Sequence, residues 1–431
     1  MSAGAFVRPT GKKNVRFVCT LFLFALVFTG CSLKRETLVT IWTNIPEFTE
    51  YGELFNDTHG KKKVILVYKK NPSEAIASKA EKVPPDIVVG PWLRTDKTGR
   101  FFRSIDTIFD GGGITQSIFY PQLLDAGKIR QSYYLLPVSF NLPAVIFSRE
   151  NAAAVEDNYT LSIEQIKEAG AAFNVRQKNG VYTRIGFVPQ AGNSFLYFTA
   201  KAKGAQFRES KSSFTWNADK LSDAIAYLKN WSTSVNTSSE TERDFTYKYL
   251  SMPNFKRVTS GRTLFAYITS DALFSLTPEQ SEPLDYRWIY DGNKIPIEDS
   301  FVTLGIPKRA KHPNAAYDFI EWFLNAETQR AILERKAKQN LDIHLFGIAG
   351  GFSSIREVNE HILPLYKTML LTNTPPTNML GIPERLPADW ELIKEQIIVP
   401  YLRDEVQNTS GVPVADLPSR IANRAKQSYE K

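Results

Sequence analysis

Apolar residues recur along this chain in two rhythms, short unbroken runs and stretches at helical spacing, and the two alternate from Leu38 onward. Leu38-Val39-Thr40-Ile41-Trp42 predicts a strand, Phe48 to Phe55 a helix, and Val64-Ile65-Leu66-Val67-Tyr68 a second strand after a stop at Gly60. Ser73 is placed to cap a short helix through Lys79, Pro84-Pro85 ends it, and Asp86-Ile87-Val88-Val89-Gly90 predicts a third strand. Near-continuous apolar strands separated by helices indicate a parallel sheet covered on both faces. Ligands bind beyond the carboxyl ends of such strands, which singles out Thr43-Asn44 and Pro91-Trp92. The alternative is that Trp42 and Trp92 plug the top of the core.

After Gly111-Gly112-Gly113 the pattern predicts a helix near Gln116 to Leu124, then two strand-like runs from Tyr133 to Phe147 around a polar centre. A strand carrying Ser139 and Asn141 through apolar surroundings suggests a chain crossing between two bodies. A second α/β region follows. Leu161 to Phe173, Ser194 to Ala202 and Asp219 to Trp231 read as helices, and Ile185 to Val188, Gly261 to Ile268 and Phe301 to Pro307 as strands. Thr269-Ser270-Asp271 forms a polar mouth at the start of a new helix. Pro313 opens a helix whose Ala316, Phe319, Ile320 and Phe323 share one face. The tail is helical from Trp390 to Val406. Trp216, Trp231, Trp288 and Tyr290 are open between core and cleft.

The first 30 residues have a different character. Arg8, Lys12, Lys13 and Arg16 lead into the apolar run Val15 to Phe28, too short for the ~20 residues of a membrane span, and then into Thr29-Gly30-Cys31-Ser32. The stretch resembles the signal of a bacterial lipoprotein, which implies a signal peptide over residues 1–30, lipidation of Cys31 and a tether over residues 31–37. Cys19 lies in the removed segment, so no internal disulfide is expected. Removal of residues 1–30 also lowers the formal charge from +8 to +4, with 49 Lys and Arg against 45 Asp and Glu. That excess is too small to indicate nucleic acid, and Lys61-Lys62-Lys63 reads as a solvated turn before a strand.

The ordered motifs resemble an extracellular solute-binding protein of the carbohydrate type, the maltose-binding-protein-like receptor of an ABC importer. Leu38 to Trp42, Pro84 to Val89, Leu136-Pro137 with Val145 to Ser148, Gly261 to Tyr267, and Phe301 to Pro307 with Asn314 to Glu321 carry the likeness. It implies a two-lobed periplasmic-binding-protein-like α/β fold of type II, with hinge strands between the lobes. Residues 36–144 and 299–346 would form lobe one, and 145–298 and 347–431 lobe two. The implied cleft residues are Trp42, Asn44, Glu47 and Trp92 from lobe one and Ser139 and Asn141 from the crossing. Lobe two would add Gln190, Asn193, Ser270, Asp271 and Phe352. Asp271, Asn193 and Ser270 have the alternative of a helix N-cap, and Gly350-Gly351-Phe352 that of a plain turn.

The resemblance implies an exported, membrane-anchored monomer with no cofactor, which takes a sugar in its cleft and passes it to permease subunits. A sugar phosphate, polyol or other polar solute is the alternative ligand. A strongly anionic one would need converging cations, for which Arg94 and Arg385 are the candidates. Two other classes compete. A serine hydrolase would need Gly-x-Ser-x-Gly, which is absent, and His59, His312, His344 and His361 show no metal-ligand spacing. A glycosidase needs only two carboxylates that meet in space. The third class is a surface or structural lipoprotein on the same fold.

Overall fold

A computed structural model of the protein describes residues 36–156, 158–211, 213–339 and 345–429. The export segment, Cys31 and His344 lie outside the described residues. Ten strands form the two principal sheets: β1 (Thr37–Thr43), β2 (Lys62–Tyr68), β3 (Ile87–Gly90), β4 (Leu136–Phe140), β5 (Pro143–Ser148), β6 (Thr160–Ser162), β7 (Ala266–Thr269), β8 (Leu284–Tyr290), β9 (Val302–Gly305) and β10 (Phe352–Ser353). Helices pack around them, among them α1 (Phe48–Thr58), α2 (Ile163–Phe173), α3 (Asn193–Ala202), α4 (Asn254–Thr259), α5 (Ser270–Phe274), α6 (Pro313–Phe323) and α7 (Ala326–Lys338).

One sheet has six strands in the order β10, β4, β9, β3, β1, β2, and the other has four in the order β7, β5, β8, β6. The first three strands are parallel, as their unbroken apolar runs predict, with Trp42 opposite Val67 and Val88. Strands β9, β4 and β10 join that sheet antiparallel. The chain passes between the two bodies three times, at Asn141-Leu142, between Pro296 and Val302, and between Ser353 and Asn373, whose carbonyl accepts from Tyr286 of β8.

The helical face read from Pro313 onward is the buried one: Ala316, Phe319, Ile320 and Phe323 are fully enclosed. Phe55 meets Phe319 at 5.2 Å between ring centroids, and Tyr51 meets Phe323 at 5.5 Å, so α1 and α6 are joined by aromatic contacts. Each such side chain contributes about 1.5–3 kcal/mol by leaving water.

Local hydrogen bonding moved several boundaries. Asn71, not Ser73, caps the helix Pro72–Ala77 by accepting from Glu74 N–H, and the Ser73 hydroxyl donates to the Trp92 carbonyl at 2.7 Å. Ile185 to Val188 is not a strand. Its backbone bonds go to a turn, with Ile185 N–H donating to Arg262 and the Gly186 carbonyl accepting from Leu264 and Phe265. The same bonds delay β7 to Ala266. Gly186 is there because the backbone of α2 comes so close: a Cβ on it would lie 2.1 Å from the Gly170 carbonyl oxygen. Strand β10 pairs with β4, so residues 352–353 belong to the six-stranded sheet although the resemblance puts 347 onward in the other lobe. Trp231 and Trp288 are core residues, and Trp216 and Tyr290 pack at its margin.

Candidate functional site

The first crossing is held by the side chains of Asn141 and Ser270. Asn141 Nδ2 donates to the Gly350 carbonyl at 2.9 Å, its Oδ1 accepts from the Ser270 hydroxyl at 2.6 Å, and its own carbonyl accepts from Glu298 N–H at 2.8 Å. Ser270 also accepts from Leu142 N–H at 3.0 Å. Asn141 thereby ties the first crossing to α5, to the second crossing and to the turn before β10. That turn needs left-handed backbone at Gly347, Ala349 and Gly350, and it is further pinned by Ser139 donating to the Ala349 carbonyl and by Ala349 N–H donating to Tyr51. A full set of partners is what a buried polar crossing requires.

Beside this hinge lies a cavity of about 320 Å³ bordered by Tyr197, Lys201, Gln206, Phe207, Asp291 and Asp299. Helix α3 supplies Tyr197 and Lys201 one turn apart. Tyr197 and Phe207 stack at 5.9 Å with an interplanar angle of 19°. Asp299 accepts from Lys201 at 2.9 Å, from the Trp390 indole at 3.0 Å and from the Tyr197 hydroxyl. Burial raises its carboxyl, but Lys201, Lys394 and these donors outweigh that and hold it below the ordinary range. Its neighbour Glu298 goes the other way: burial raises it, and Lys201 offsets only part of the effect. Among the described residues, no group of three or more His, Cys, Asp or Glu is arranged to hold a metal.

A strap after Leu380-Gly381 closes one rim. It pairs with Ile295-Pro296 and then meets the body of the six-stranded sheet, where Arg94 donates to the Pro383 carbonyl at 3.1 Å and Asn71 to the Ala388 carbonyl at 2.8 Å. Asp96 N–H donates to Glu209 at 2.6 Å and Arg385 pairs with Asp96 at 3.5 Å. Arg94 and Arg385 do approach each other: burial, then Arg385, brings the Arg94 guanidinium down to about 10.

The residues singled out in the sequence are scattered over this region. Trp42 is 3 % exposed and belongs to a small core with Val88, Leu93, Phe102 and Leu135. Trp92, at φ +62°, borders a narrow gap with Arg94, Asp299 and Phe301. Asn44 Oδ1 and Glu47 Oε1 are buried without a hydrogen-bond partner among the described residues. Ser139, Asn141 and Ser270 form the hinge described above. Asp271 is half-buried in the first turn of α5, whose cap is Thr269, so neither it nor Ser270 is the N-cap. Gln190 crosslinks Ser232 and Ser239 at 2.8 and 2.9 Å, and Asn193 is exposed at the start of α3. Phe352 is fully buried among Phe140, Phe274, Trp288 and Phe346. None of these eleven borders the cavity beside the hinge. Its own residues were absent from the sequence reading, although the spacing of Tyr197 and Lys201 on a predicted helix was a usable signal.

Two α/β bodies joined by three crossings, with a cavity at the hinge, define a two-lobed binding protein. Residues 50–338 match the bacterial extracellular solute-binding protein family, and the chain belongs to that family. It is therefore an exported protein; among the described residues no helix is long and apolar enough to cross a membrane. Solved structures share the fold, of the type II periplasmic-binding kind. CpMnBP1 with mannotriose bound is 17 % identical, covers 92 % of this chain and 100 % of its own, and has a TM-score of 0.57. The GacH receptor of Streptomyces glaucescens, solved without ligand and with acarbose, is 14 % identical over 91 % and 97 %, at 0.56. A cyclo/maltodextrin-binding protein with maltotetraose is 14 % identical over 92 % and 97 %, at 0.57. No curated protein matches the chain.

Proposed function

We propose that this protein captures a mono- or oligosaccharide between its lobes and delivers it to the membrane subunits of an ABC importer. The observation that carries the reading is the cavity at the hinge, where Tyr197 and Phe207 stand among Lys201, Gln206 and Asp291. A pyranose has an apolar face of C–H groups and a rim of hydroxyls, so it calls for that combination. Mannotriose, acarbose and maltotetraose in proteins of this fold support a sugar over other solutes.

In this reading lobe one comprises residues 36–144 and 299–346 with β10, and lobe two residues 145–298 with most of the tail. Open and closed forms exchange about the Asn141 crossing, and a ligand that touches both lobes only when they close shifts the population. No covalent step is involved, and Asp299 is already occupied by three donors. Acyl chains on Cys31 anchor the monomer at about 0.8 kcal/mol per buried CH₂.

A thermal-shift screen of the chain from Ser32 onward tests this. A sugar at ~100 times its Kd adds about 2.7 kcal/mol, a shift of a few degrees. One sugar class should produce it, and Gln206→Ala should weaken it. A response confined to a non-sugar polar solute would overturn the carbohydrate assignment; no response to any solute would favour a structural lipoprotein.

A further inference from the structure

A second cavity, of about 120 Å³, lies wholly within the body of the four-stranded sheet and shares no residue with the interlobe cavity. Phe187, Phe195 and Phe265 give it apolar walls. Its polar surface includes two unpartnered groups that can donate. Thr263 is 4 % exposed, and its Oγ1 is buried with no hydrogen-bond partner among the described residues. Arg257 Nε is buried and unpartnered as well, while another guanidinium nitrogen donates to Asn254 Oδ1. Asn254 Nδ2 is taken by the Tyr267 carbonyl at 3.2 Å. Gly192 and Ser194 bring in the first turn of the ten-residue helix α3, whose cap position has no side chain to accept its free N–H groups.

Arg257 is half-buried, and among the described residues no carboxylate stands beside its guanidinium. Burial alone pushes Arg257 below its ordinary value, and among the described residues it makes no ion pair. A cation, a buried hydroxyl and the first turn of a helix that border one space suit a negatively charged acceptor. Size narrows the choice: a cavity of about 120 Å³ is close to the ~150 Å³ that holds one benzene, enough for a handful of non-hydrogen atoms and too little for an oligosaccharide. We propose that this cavity is a binding site for a small oxyanion, inorganic phosphate or sulfate or a short carboxylate, held by Arg257, Thr263 and the N-terminus of α3.

Differential scanning fluorimetry of the intact protein, at ionic strength held constant with sodium chloride, reads the binding of sodium phosphate, sulfate and acetate. A saturable rise in Tm is expected with at least one of them. Preference for phosphate or sulfate identifies a free inorganic ion as the occupant, and preference for acetate identifies a carboxylate. Arg257→Gln should abolish the rise. The near-isosteric Thr263→Val should weaken the apparent affinity by about tenfold, the size expected for one hydrogen bond to an ion. The proposal is overturned if the native protein gives no saturable rise at tens of millimolar of any of the three. It is equally overturned if a folded Thr263→Val or Arg257→Gln protein keeps the native midpoint.

Discussion

Asn141 shows what a single residue does at this hinge. Its side chain donates once and accepts once while its backbone carbonyl accepts from the second crossing, so three parts of the chain meet at one residue. Glu242 is the opposite case, a fully buried carboxyl group with Oε1 accepting from Asn236 at 2.7 Å and Oε2 without a hydrogen-bond partner among the described residues. Burial raises its pKa from the ordinary 4.5 to about 7, against smaller lowering by Asn236, Ser232 and the Gln190 backbone. The folded state therefore holds a proton that the unfolded chain has lost between those values. The contribution of this group to stability is largest below pH 4.5 and falls as pH rises towards 7, by on the order of 3 kcal/mol. Urea midpoints of Glu242→Gln should match the native protein near pH 4.5 and exceed it at pH 8. A native advantage at pH 8 would contradict the account.

At the scale of elements, contacts between backbones decide what local patterns leave open. The apolar run Ile185 to Val188 has strand composition, yet the approach of Gly186 to Gly170 on α2 turns its bonds towards Arg262 and Phe265. Gly186→Ala would set a methyl group 2.1 Å from a carbonyl oxygen, and neither partner is a flexible side chain. The expected loss is about 1–3 kcal/mol or more, read as a lower urea midpoint. The helix cap at Asn71 carries the same lesson. Ser73 has the right chemistry and nearly the right position, but the buried Trp92 carbonyl claims its hydroxyl from 19 residues away.

Across the whole molecule, the two bodies are joined by the hinge on one side and by the strap on the other. The contacts of the strap differ in weight. Arg385 and Asp96 are 41 % and 57 % exposed, and such a pair is worth about 0–1 kcal/mol. Arg94 is enclosed, and it donates both to Ala126 in its own body and to Pro383 in the strap. Arg94→Ala should shift the ligand-free protein towards a more open form, seen as a larger radius of gyration by small-angle scattering. A saturating sugar should restore compaction. Identical profiles for the variant and native proteins without ligand would show that the strap does not hold the lobes.

What the sequence determined by itself was local: the alternation of strands and helices, the buried face of α6, and the crossing at Asn141 between two bodies. These follow from periodicity and from polar residues set in apolar runs, which depend on near neighbours. Only the tertiary structure decided which polar groups meet. It assigned Phe352 to an aromatic core, brought Tyr197 and Lys201 to Asp299 about 100 residues away, and left Thr263 Oγ1 and Arg257 Nε unpartnered among the described residues around one cavity. Such pairings join distant segments, and no repeat within a few residues encodes them.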